Sequence, residues 1–90
     1  MTYVYTAHSH KGQVERELKD LDNKLTSLES ELSQAKVKLR RHLEVAKSFP
    51  NNPGYDKATA ELKDAVAKLE TTIRVDKVRQ QTLQTEYNSF

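Results

Sequence analysis

The chain has 90 residues, 36% of them apolar and 31% charged, with a net charge of +2 and neither Cys nor Trp. That length holds one domain at most, and the thin apolar share excludes a broad globular core while allowing a narrow seam between long helices. The missing Cys excludes disulfides, thiolate nucleophiles and thiolate metal sites, and so mild a charge makes no case on its own for nucleic acid or a membrane surface.

Met1 to His10 differs from the rest of the chain. Tyr3, Val4, Tyr5 and Thr6 favour strands, and the segment has no helical period. A lone strand cannot stand unpaired. Residues 1–10 are therefore expected to form a short non-helical segment, extended or disordered, that could add to the sheet edge of another protein. They lack the basic start, apolar middle and small-residue cleavage site of a signal peptide. No apolar run approaches the ~18 residues that argue for a membrane span. The expected location is the cytoplasm, with no membrane partner.

From Val14 to Ala46 the apolar residues recur in alternating steps of four and three: Val14, Leu18, Leu21, Leu25, Leu28, Leu32, Ala35 and Leu39, with His42 and Ala46 continuing the spacing. This heptad pattern predicts one helix over about 12–48 that needs a partner along its length. Ser9 is a candidate N-cap, and Glu15 and Glu17 suit the first turns. Pro50 disfavours helix at Phe49 and sets the end. A helix of that length is a rod on the order of 50 Å.

Residues 49–52 form the predicted turn, in the one strong breaker of the chain, Phe49-Pro50-Asn51-Asn52-Pro53-Gly54. Asn52 followed by Pro53 reads as an N-cap with Pro at the first helical position. A second helix is predicted over about 53–87, with its own seam of Tyr55, Thr59, Leu62, Val66, Leu69, Ile73, Asp76, Gln80, Leu83 and Tyr87. Folding the chain at Asn51 and Asn52 brings Leu39 to Leu62, Leu32 to Leu69, Leu28 to Ile73, Leu18 to Leu83 and Val14 to Tyr87. Each pair has the same sum of residue numbers, as an antiparallel coiled coil requires. The acidic first half of the first helix then faces Arg74, Lys77 and Arg79, which supports the same register. The fold class is all-α: an antiparallel coiled-coil helical hairpin over residues 11–90.

Two polar residues interrupt this seam. Asp76 falls opposite Leu25 and Gln80 opposite Leu21. Either their polar ends reach water at the seam's edge, or they form a polar layer that fixes register. A second stripe of small residues runs along each helix: Ala60, Ala67, Thr71, Val75, Val78 and Thr82 on one, and Thr26, Ser30, Ser33 and Val37 on the other. A single hairpin buries one seam, which is marginal for a chain this size. These stripes are therefore expected to pair two hairpins into a four-helix homodimer.

Candidate chemistry is sparse. His8 and His10 would share one face of a strand, but no Cys or nearby carboxylate completes a metal site. His42 falls opposite Thr59 as a half-buried polar layer. No Ser-His-Asp grouping, carboxylate pair or phosphate-cradling Gly loop can be assembled, and a thin hairpin offers no enclosed pocket. No catalysis, cofactor or metal is expected. The turn lacks the Trp-x-Gly of the secreted helical hairpins, and no motif of any other hairpin family appears.

The expected function is that of a small protein-binding module, an adaptor, chaperone or inhibitor. Its candidate contacts are Tyr3, Tyr5, Val75, Val78, Tyr87 and Phe90, because aromatics at the ends and apolar residues on the flanks are what a partner can grip. The alternative is an RNA- or DNA-binding hairpin using the basic tract of Lys36, Lys38, Arg40, Arg41 and Lys47. That tract winds around the helix rather than forming one stripe.

Overall fold

The computed structural model describes residues 2–90, with side chains described from His10 onward. It is all-helical: α1 runs over Thr2–Ala46 and α2 over Pro53–Asn88. The helices lie side by side as a hairpin, a rod of 71 × 16 × 15 Å. His10 meets Glu86, Glu17 meets Arg79, Lys24 meets Asp76, Glu29 meets Lys77, and His42 meets Thr59. Residue numbers fall along one helix as they rise along the other.

The start of α1 corrects one expectation. Residues 2–10 are helical and not an extended segment. An isolated strand leaves its backbone groups unpaired, whereas a helix satisfies them within the segment. Nothing between Tyr3 and Val14 forbids helix, since Gly12 costs only about 1 kcal/mol and no Pro intervenes. Strand preference is a weak guide where no sheet exists to receive it.

The turn is built as its residues dictate. α1 stops at Ala46, and Ser48 and Phe49 donate backbone N–H groups to Val45 and Ala46 carbonyls at 3.1 and 3.0 Å. Asn51 takes the left-handed conformation, φ 64°, which Asn tolerates better than most residues. The Asn52 side chain then caps α2, accepting from the backbone N–H of Gly54 at 2.9 Å and of Tyr55 at 3.3 Å. A Cβ on residue 54 would lie 3.2 Å from that capping oxygen, so Gly suits the position.

The inward face follows the heptad spacing. All ten α1 seam positions from Val14 to Ala46 are buried or half-buried, and so are all ten from Tyr55 to Tyr87 on α2. Val14, Leu21, Leu25, Ile73 and Leu83 form the buried cluster, with Leu18, Leu28, Leu32 and Tyr87 packed against it.

Candidate functional site

Polar groups enter the seam at two levels. Asp76 is 8% exposed, so it does not reach out to water as a seam-edge residue would. Lys24 Nζ stands 3.0 Å from its Oδ2. That oxygen has no hydrogen-bond partner among the described residues, so the ammonium sits at ion-pair distance but off the direction a hydrogen bond needs. Gln80, the other interruption, is half-buried.

Near the turn, His42 Nε2 lies 3.0 Å from the Tyr55 carbonyl and 2.8 Å from Thr59 Oγ1. A carbonyl can only accept, so Nε2 is assigned the proton and donates. Thr59 donates its own hydroxyl proton to the same carbonyl at 2.9 Å. Toward His42 it therefore accepts. The Tyr55 ring stacks on Phe49, centroids 5.3 Å apart, and closes this end of the rod.

At the opposite end, His10 Nε2 is 2.7 Å from Glu86 Oε1, and the His10 ring meets Phe90 edge-on at 5.4 Å. Tyr87 is half-buried against the core with Lys11 Nζ 5.3 Å above its ring. It serves as an end-plug more than as an exposed anchor. Phe90 remains about half exposed. The side chains of Tyr3 and Tyr5 lie outside the described residues. Lys36, Lys38, Arg40 and Arg41 are exposed on α1 and Lys47 just beyond its end, where it pairs with Glu44 at 3.3 Å. No group of His and carboxylate residues able to hold a metal occurs among the described residues. No helix there is long and apolar enough to cross a membrane.

The outward face of α2 is the most distinctive surface. Val75 and Val78 are 60% and 59% exposed. Thr71, Val75, Val78, Thr82 and Thr85 follow one another in steps of four and three, and no charged residue enters that row. The hydroxyls add little polarity to it, although Thr71 Oγ1 also accepts from Arg74 Nη2 at 3.4 Å. Thr71, Thr82 and Thr85 each donate to the carbonyl four residues earlier, of Ala67, Val78 and Gln81, at 3.0 to 3.1 Å. A threonine whose hydroxyl is turned to its own helix leaves its methyl as the group a neighbour meets. The row is thus a line of β-branched methyls with heptad spacing on the side away from α1. A shallow groove lined by Leu32, Ile73 and Val78, among Glu70, Arg74 and Lys77, runs beside it. Val75 and Val78 were legible as candidates from their spacing. Thr71 and Thr82 stand in the same stripe by their spacing, whereas sequence does not tell which way their hydroxyls turn.

Comparison with protein-family models, with curated proteins and with solved structures finds no match to this chain. The functional reading therefore rests on the geometry of these surfaces alone.

Proposed function

We propose that the chain is an antiparallel coiled-coil hairpin that works by binding protein, as an adaptor, chaperone or inhibitor, and not by catalysis. The observation that carries this reading is the outward methyl row of α2. A helix of a two-helix hairpin needs one apolar face, and α2 has two. The second has the spacing by which helices recognise helices. Pairing into a four-helix dimer is the simplest assembly that uses it.

The test is affinity capture of the full chain's partners from a native lysate, with and without nuclease, alongside measurement of the chain's own oligomeric state. Protein should be bound after nuclease treatment, either a second copy or another chain. Binding should be lost on combining Val75→Asp with Val78→Asp and kept on combining Arg40→Ala with Arg41→Ala. Attachment through phosphates behaves in the opposite way, weakening steeply with salt and with loss of those two arginines. A monomer that recovers only nucleic acid overturns the proposal.

A further inference from the structure

We infer that the outward row of α2 is the self-pairing surface of this protein, and that its occupant is the same row of a second copy lying antiparallel across a two-fold axis between Val75 and Val78. This rests on the protein-binding reading above and names the partner.

The row from Thr71 to Thr82 matches itself when reversed, with Thr85 left beyond it at the level of the exposed Lys68 of the second copy. With the axis between Val75 and Val78, Val75 falls level with Val78 of the second copy, and Thr71 with Thr82. A two-fold interface requires that kind of self-complementarity. The layers so formed contain only β-branched side chains, whose threonine hydroxyls are already bonded within their own helix. No charge is buried in them. The outward row of α1 offers less: Thr26, Ser30, Ser33 and Val37 have the same spacing, but the two serines carry no methyl and Arg40 and Glu44 continue the row.

The surface area points the same way. The hairpin exposes 7095 Å², whereas a compact monomer of this mass exposes about 5,400 Å². The excess is about twice the ~800 Å² that each partner contributes to a standard stable interface. A second copy on this row removes about half of it without any change of fold.

The natural chain has no Cys, so introduced thiols read out the register without interference. Chains carrying Val75→Cys mixed with chains carrying Val78→Cys should form a mixed disulfide under mild oxidation. Thr71→Cys mixed with Thr82→Cys should do the same. Thr71→Cys alone should not cross-link to itself, because its copies lie on opposite sides of the axis. Unsubstituted protein at micromolar concentration should scatter light with twice the monomer mass. The combined Val75→Asp and Val78→Asp variant should scatter as a monomer with its helical circular dichroism retained. Should that variant lose helicity, Val75→Ser with Val78→Ser reads the same contact more gently and should raise the dissociation constant at least tenfold. Self-linking of Thr71→Cys chains, or a dimer indifferent to both pairs of substitutions, overturns the proposal. So does a monomeric natural chain. If that monomer still captures another protein through Val75 and Val78, the self-pairing fails while the protein-binding reading stands.

Discussion

The two halves of the rod are built on one repeat but are sealed differently. Toward the open end, Val14, Leu21, Leu25, Ile73 and Leu83 are buried. Toward the turn Val66 alone is buried, while Leu39, Leu62 and Leu69 occupy equivalent seam positions and are only half-buried. The difference lies beside the seam. In the open half, Glu17 with Arg79, Lys24 with Asp76 and Glu29 with Lys77 bridge the seam as ion pairs, and long side chains so placed shield apolar surface with their aliphatic stems. Near the turn, α2 carries Ala58 and Ala65 at flanking positions, and alanine is too short to cover anything. Leu43, Val45 and Phe49 are left exposed there as well. Long charged side chains thus act here as much through the area they cover as through their charge. Exposed ion pairs contribute little by Coulomb attraction alone.

The sharpest way to break this comparison is to truncate one leucine in each half. Leu25→Ala, at a site 5% exposed, should destabilise by about 2–5 kcal/mol. Leu62→Ala, half-buried near the turn, should cost about 1–2 kcal/mol. Denaturant unfolding at one fixed protein concentration checks both, and equal losses would refute the difference between the halves. The Lys24 and Asp76 pair comes next. Lys24→Ala leaves a buried carboxylate without its counter-ion and should cost about 1–2 kcal/mol, held down by the exposure of Lys24. Asp76→Leu should leave the protein as stable or more so, because an apolar side chain of that size completes the seam. A pronounced loss with Asp76→Leu would show that the carboxylate makes contacts beyond Lys24. Asn52→Ala removes the cap of α2 and should cost about 1 kcal/mol, with amide exchange accelerated first in Gly54 and Tyr55. The smallest effect belongs to Arg79→Ala. It should lower stability by about 0.5 kcal/mol or less. Its clearer signature is faster amide exchange around Leu83, if its stem covers the seam there.

The heptad spacing identified both helices and every seam position, because a rod with one buried face has few ways to satisfy a repeat of four and three, and the Pro and Asn residues between Phe49 and Gly54 marked the turn. The start of α1 escaped it. Tyr3, Val4 and Tyr5 have strand preference, and only the absence of any breaker before Val14 hinted that helix would continue. The depth of Asp76 was equally hidden. Its spacing put it in the seam, but burial depended on Lys24 reaching over from α1, one residue outside the repeat. Of the outward surface, Val75 and Val78 were visible as apolar residues out of phase with the seam. Thr71 and Thr82 fell in the same stripe by spacing, but the bonding of their hydroxyls to the helix, and the place of Thr85 in the row, were not visible. The unequal sealing of the two halves depends on the length of flanking side chains, which a pattern of apolar and polar letters does not encode.

The beginning of α1 and the end of α2 lie at the same end of the rod, where His10 meets Glu86. A tension applied between them would peel the helices apart layer by layer instead of sliding one along the other. The load would fall first on the levels of Val14 and Leu83, which with Leu25 are the most deeply packed of the described residues. Once these yielded, the weaker levels near the turn could not arrest the tear. The hairpin should therefore behave under force as a latch with a single catch, holding to a threshold and then opening along its whole length.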